Sequence, residues 1–256
     1  MKNPALIGLY TMVRNDTIRI FRIWSQTLLP PIITTALYFA IFGGFIGSQI
    51  APIEGFSYMQ FIMPGLVMMS LITSAYMNTV STFYFAKFIK NIEELLVSPM
   101  PAWAIVAGFV AGGVVRGFLV GLLVVLTSMF FTHLTIFNIF AVFGAALLTA
   151  FLFSLGGLIN GFYAKGFDGI SIVPTFVLTP LTYLGGVFYS IELLPEPFRT
   201  LSLFNPILYM VNAFRYGILG VSDVNPLLCF VVLGVLTLGF FLVTLWMFTR
   251  GTGFKN

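Results

Sequence analysis

Three stretches of this 256-residue chain are too long and too apolar for a soluble core. Residues 104–131 carry one charge, Arg116, and residues 139–163 and 226–248 carry none. A helix needs about 20 apolar residues to cross roughly 30 Å of hydrocarbon, and a backbone in lipid must satisfy its own polar groups. These runs therefore predict transmembrane helices. Extending the pattern to the other apolar stretches gives six spans, at about 27–47, 58–84, 104–131, 139–163, 172–189 and 226–248, in a single all-α polytopic membrane domain. Charged residues make up 8% of the chain, against roughly 25% in soluble domains, which argues against a soluble catalytic domain. A net charge of +4 is too small to suggest nucleic acid. The lone Cys229 cannot close an internal disulfide.

The N-terminus does not read as a signal peptide, because its short apolar patch runs into Arg14, Asp16, Arg19 and Arg22. Residues 4–24 read instead as an amphipathic interfacial helix. Leu6, Leu9, Tyr10, Val13, Ile20, Phe21 and Trp24 fall on one side, and Arg14, Asn15, Asp16, Arg19 and Arg22 fall on the other, towards lipid headgroups.

Within the second span Ser70, Ser74, Asn78 and Thr82 recur at every fourth residue. Such a polar stripe either bonds to another helix or lines a substrate route. The third span carries Gly113, Gly117 and Gly121 at the same interval, and the fourth carries Ala150, Ser154, Gly157 and Gly161, both allowing close helix approach. Arg116 is a charge about twelve residues into its span. It is a functional candidate, or a structural cation neutralised by its neighbours. In the fifth span Pro174 and Pro180 predict kinks, with Thr175, Thr179 and Thr182 available to the freed carbonyls.

Between the second and third spans lies a charged island, KFIKNIEELLVSPMP (87–101). Read as a helix over 87–97, it puts Phe88, Ile92, Leu95 and Leu96 on one face, spaces Lys90 and Glu94 for a weak i,i+4 pair, and ends at Pro99 and Pro101. Glu93 completes its charges. It is either a docking helix for a cytoplasmic partner or a helix lying on the bilayer surface.

Residues 190–224 carry Glu192, Glu196, Arg199, Arg215 and Asp223, and their apolar run 207–214 is too short to cross a bilayer. They read as one or two short helices dipping part-way in from the outside. Six spans put both termini on one side, with Lys2, Arg14, Arg19, Arg22, Lys87, Lys90, Lys165, Arg250 and Lys255. The other side holds only Arg199 and Arg215, and His133 falls at an outer span end. Positive charge marks the cytoplasmic face, so both termini and the island are expected there.

No G-x-x-x-x-G-K-[ST] loop is present, so no ATPase is expected in this chain. No Cys/His cluster has metal spacing, no Ser/His/Asp set is evident, and neither catalytic residues nor a metal is expected. Glu192, Glu196, Asn205 and Asn212 are external positions whose spacing demands no ligand. The halves show no convincing inverted repeat, and Arg116 is the one mid-span charge, which weighs against an ion-coupled secondary transporter. A transport protein or a membrane scaffold recruiting a cytoplasmic partner remains.

The blocks GFSYMQFIMPGLVMMS (55–70), AKFIKNIEELLVSPMP (86–101) and VPTFVLTPLTYLGGVFYSIELLP (173–195), followed by Asn205-Pro206 and Arg215, occur in an order and spacing that resembles the ABC-2 family of permease subunits over essentially the full length. The resemblance implies the fold of these exporters: six spans, an N-terminal interfacial helix, a cytoplasmic coupling helix and short external helices. It implies a bacterial inner-membrane permease that works as a homodimer on two copies of a separate ATP-binding subunit, with ATP and Mg bound by that partner. The coupling helix would be 87–97, with Lys87, Phe88, Lys90, Ile92, Glu93, Glu94 and Leu95 at the docking site. The pathway or dimer interface would involve Ser70, Ser74, Asn78, Thr175, Thr179 and Thr182. Lipid is the remaining partner, and an amphipathic or hydrophobic substrate suits the weakly polar lining.

Overall fold

Ser57 starts the helix around which the others assemble. Its side chain accepts from the Gln60 N–H while the Gln60 side chain accepts from the Ser57 N–H, a reciprocal cap. The helix that follows, Tyr58–Phe88, runs one turn beyond its predicted end. A computed structural model describes residues 4–250, apart from the side chains at 44–46 and 48. Lys2 and Lys255, counted above for orientation, lie outside the described residues.

In chain order the helices are α1 (Pro4–Arg22), α2 (Trp24–Thr27), α3 (Leu29–Tyr38), α4 (Tyr58–Phe88), α5 (Asn91–Val97) and α6 (Ala102–Ser128). Then come α7 (Ile139–Tyr163), α8 (Phe167–Val173), α9 (Thr179–Tyr183), α10 (Glu196–Leu203), α11 (Pro206–Leu219) and α12 (Pro226–Arg250). Two wider π-wound turns, Phe39–Ile46 and Pro174–Leu178, continue α3 and α8. Among the described residues there is no strand; a single bridge between Ile53 and Phe56 closes the 50–57 connection. Five helical stretches are long and apolar enough to cross a membrane: Trp24–Gly43, α4, α6, α7 and α12.

The small-residue faces explain why α4 is central. On α6, an added Cβ at Gly113 would lie 2.9 Å from the Ala75 carbonyl, and one at Gly117 would lie 3.1 Å from the Ala75 side chain. On α7, a Cβ at Gly157 would lie 2.6 Å from the Tyr76 carbonyl. Both helices thus press backbone to backbone on α4, which is the most buried of the five. Leu66, Leu71, Ile72 and Val80 of α4 join α7 and α11 in the main apolar cluster; a second cluster gathers Phe83, Ile92, Val106, Phe109, Leu158 and Phe162 at the other end.

Two expectations need correction here. The predicted fifth span, 172–189, starts earlier and ends at Tyr183, in three pieces. Pro174 and Pro180 lack N–H groups and their rings crowd the preceding turn. The Thr179 hydroxyl donates to the Pro174 carbonyl (3.0 Å) and the Thr182 hydroxyl to the Leu178 carbonyl (2.7 Å). From Phe167 to Tyr183 the segment would reach about 25 Å at the helical rise, short of a full bilayer core.

The second correction concerns α1, whose predicted polar and apolar sides are each split between the protein and the outside. Leu6, Tyr10 and Phe21 are exposed, whereas Asp16 is 7% exposed and turns inward with Ala5 and Ile20. Arg14, Asn15 and Arg22 stay exposed, so of the polar side only Asp16 and half-buried Arg19 turn to the protein.

Candidate functional site

The chain leaves α4 through Ile89 and Lys90, and Lys90 adopts a left-handed backbone (φ +60°). A non-glycine residue rarely takes this conformation. It ends the register of α4 and starts a new helix at Asn91, so the predicted 87–97 helix is two elements. Lys87 and Phe88 belong to α4, and no helical pair joins Lys90 to Glu94. The Lys87 Nζ donates to the Phe162 carbonyl (2.9 Å), tying α4 to the end of α7. Phe88 packs against Tyr84 and Phe167.

Helix α5 is anchored by one side chain. Ile92 is 3% exposed within the second cluster, with Leu95 packed against it. Glu93, Glu94, Leu96 and Val97 face outward, and Val97 is 88% exposed. The Ser98 hydroxyl closes the C-terminus by donating to the Leu95 carbonyl. Pro101 precedes α6 in extended backbone. The result is a helix seated through Ile92 and Leu95 with a free acidic and apolar face.

Beside it lies a polar network that the sequence did not reveal. Gly112 of α6 leaves room for Asp16: a Cβ there would collide with the Asp16 carboxylate. Asp16 accepts from the Asn78 amide (2.7 Å) and pairs with Arg19. Arg19 donates to Asn78 Oδ1 (2.9 Å) and to the Thr82 hydroxyl, which itself donates to the Asn78 carbonyl. Arg116 is half-buried within electrostatic reach of Asp16 and Arg19, and its Nε has no hydrogen-bond partner. Arg116 and Arg19 share the wall of a cavity of about 280 Å³. The lower half of the polar stripe is therefore engaged by α1.

Ser74 is buried and Ser70 half-exposed. The face that α4 leaves open runs through Ser70, Thr73, Met77, Ser81 and Phe85. Thr73 and Ser81 share a four-residue interval with Met77 and Phe85, whose apolar side chains interrupt the polar pattern and hide it in the sequence. Thr175 and Thr179 are exposed on the broken segment, whereas Thr182 is 5% exposed and turns inward.

The 190–224 segment is built on a buried charge pair. Arg215, expected as an external cation, is fully buried: Nη1 lies 3.3 Å from Asp223 Oδ2, Nη2 donates to the Gly186 carbonyl (2.6 Å), and the guanidinium stacks over Phe61 (4.0 Å). Asp223 also accepts from the Ser190 hydroxyl and the Ile191 N–H. Asn205 and Asn212, read above as external, are buried and spent internally. Asn205 donates to the Leu181 carbonyl, and Asn212 accepts from the Asp223 N–H. Glu192, Glu196 and Arg199 are exposed, the last two in a loose i,i+3 pair. Burial and the nearby Asp223 raise the Glu54 carboxyl above its ordinary range, against a lowering by Arg215.

Residues 8–219 match the sequence profile of the ABC-2 type transporter family. The chain is 54% identical over 250 residues to the inner membrane transport permease YadH of Escherichia coli K12, covering 98% of each chain. It is 24% identical over 235 residues to nodulation protein J of Rhizobium leguminosarum bv. viciae, covering 89% of this chain and 90% of that one.

Proposed function

The chain belongs to the ABC-2 type transporter family, and from that premise we propose that it is the permease subunit of an ATP-driven exporter. It works as a homodimer docked on two copies of a separate ATP-binding subunit, which binds the ATP and Mg. It sits in the bacterial inner membrane as a multi-pass protein, with α5 and both termini on the cytoplasmic side. Exposed Arg14, Arg22, Lys90, Lys165 and Arg250 support that orientation.

The observation that carries the reading is α5. It follows α4 after two residues, is clamped by Ile92 into the cluster that holds Phe83 of α4, and presents Glu93, Glu94 and Val97 to a partner. A partner that grips this face differently in its nucleotide states shifts the equilibrium of the helices behind it, since a ligand acts only through differential affinity. The substrate route runs between the two copies, past Ser70, Thr73, Met77 and Ser81 of α4 and Thr175 and Thr179 of the broken segment. With no charge on that strip, an amphipathic or hydrophobic substrate fits. Arg116 belongs to the α1 anchor, not to the route.

The test is co-reconstitution with the ATP-binding subunit. Glu94→Arg and Val97→Asp are expected to abolish stimulation of ATP hydrolysis while leaving membrane insertion intact. Normal transport by both variants would overturn the docking assignment. A scaffold would bind the partner yet move nothing on ATP addition.

A further inference from the structure

Where α1 gives way to α2, the chain leaves a cavity of about 280 Å³ against α4 and α6, with Arg19 and Arg116 on its wall beside Gln26, Asn78 and Ser81. The two guanidiniums are unequally used. Arg19 makes its contacts to Asp16, Asn78 and Thr82 through Nη2 alone. Arg116 donates to no described residue: its Nε is buried without a partner, and Asp16 is the one carboxylate within electrostatic reach. That carboxylate already pairs with Arg19 and accepts from the Asn78 amide. The cluster therefore holds an excess of one positive charge, two cations against one anion. Exposed Ile23 and Gln26 and half-buried Met77 and Ser81 form the mouth.

The cavity stands at the depth of lipid headgroups. Helix α4 is 31 residues long, about 46 Å at the helical rise. Centred on a hydrocarbon core of roughly 30 Å, it extends about 8 Å beyond the core at each end. Thr82, which Arg19 touches, lies about 9 Å before the Phe88 end of α4, close to that boundary. Trp24, the residue after Ile23, is 54% exposed, and such rings gather at the same level. Helical side chains lean towards the N-terminus of their helix, so Arg116, deeper on α6, reaches back towards this boundary. Water can hydrate these donors but cannot cancel their charge, and a cation held at the edge of hydrocarbon calls for a counter-ion. The volume lies just under the range of drug-sized pockets, so it takes a headgroup and not a whole lipid.

We propose that this cavity binds the phosphate of an acidic membrane lipid, with Arg116 and the Nη1 of Arg19 donating to its oxygens. One phosphodiester carries one negative charge and balances the cluster, and a guanidinium matches phosphate oxygens through paired, charge-assisted hydrogen bonds. The glycerol leaves through the mouth past Gln26 and Ser81, and the acyl chains continue beside Ile23 and Met77 into the hydrocarbon. The bound lipid ties α1 to α6 through an arginine that protein contacts leave idle. The inference does not depend on the exporter reading, because binding needs neither ATP nor a partner subunit.

The test is native mass spectrometry of the full chain, delipidated in detergent and titrated with phosphatidylglycerol, phosphatidylcholine or inorganic phosphate, alongside a thermal unfolding scan. The parent is expected to retain phosphatidylglycerol more tightly than phosphatidylcholine, whose choline returns a positive charge to the site. Arg116→Gln keeps a polar side chain without the charge and should weaken that retention about tenfold, the scale of one charge-assisted hydrogen bond. Its Tm without lipid should match the parent's, because Arg116 bonds to no described residue. Added phosphatidylglycerol should then raise the Tm of the parent and not of the variant. Arg22→Gln, on the exposed side of α1, should bind as the parent does. Retention by Arg116→Gln equal to the parent's would overturn the inference. So would an equal loss in Arg22→Gln, the mark of a diffuse surface field, and so would equal retention of the two lipids. Stabilisation by inorganic phosphate in place of lipid would make the occupant a soluble anion and overturn the lipid assignment.

Discussion

Asp223→Ala isolates the worth of the buried charge pair. The Arg215 and Asp223 side chains are 0% and 1% exposed, so removing the carboxylate leaves the guanidinium in the interior touching the Gly186 carbonyl and the Phe61 face, with Glu54 the remaining carboxylate within electrostatic reach. The Ser190 hydroxyl and Ile191 N–H lose their acceptor as well. An uncompensated buried charge costs about 3–5 kcal/mol. At roughly 2–4 °C per kcal/mol for a chain of this size, Tm should fall by about 6–20 °C in a thermal unfolding scan of the purified protein. Arg215→Met combined with Asp223→Ala removes both charges and should recover at least half the loss, since apolar replacement of a buried pair is often near neutral. A fall of less than about 2 °C for the single variant, or a double variant less stable than the single, would refute the reasoning.

Gly112→Ala drives a methyl into the Asp16 carboxylate and should cost about 1–3 kcal/mol, seen as faster amide exchange along α1 with α12 unaffected. Unchanged exchange in α1 would show that Asp16 does not hold it. Ile92→Asp puts a carboxylate into the second apolar cluster and should free α5, so that limited proteolysis cuts between Lys90 and Pro101 much faster than in the parent. Equal cutting rates would refute the anchor. Because the folded Glu54 carboxyl titrates above its ordinary 4.5, the fold favours its protonated form. That contribution is present below pH 4.5 and lost as pH rises through the raised value. Glu54→Gln stays neutral and should flatten this part of the stability profile; identical slopes would contradict it.

The places and order of the five long apolar stretches were largely legible because apolar length speaks directly in a membrane chain; the sixth expected span was not, because its prolines break it. The bounds 139–163 were read from one uncharged run and recur in α7. Faces were harder. In α1 the period was visible, but lipid and protein core are both apolar, so the pattern alone does not say which side turns inward. Asp16 and its partner Asn78 are 62 residues apart, beyond any local signal. Lys90 carries no glycine or asparagine cue for its left-handed backbone. The Arg215–Asp223 pair did leave a trace: an arginine at the end of the apolar run 207–214, followed by a lone aspartate past Gly220, asks for a buried partner more than for solvent.

Helix α4 is the most enclosed of the long apolar helices, and α12 is among the least. That contrast bears on how the chain is made. When α4 leaves the ribosome, Asp16 and Arg19 already exist, but the glycine faces of α6 and α7 that cover its backbone do not. Until α7 emerges, Ser74 and Thr79 of α4 confront lipid or the insertion machinery. Helix α12 can partition into the bilayer on its own. Assembly is thus out of sequence order: an early helix waits in an unfinished state for a later one. Chains stopped between α6 and α7 should be the ones that membrane proteases remove first.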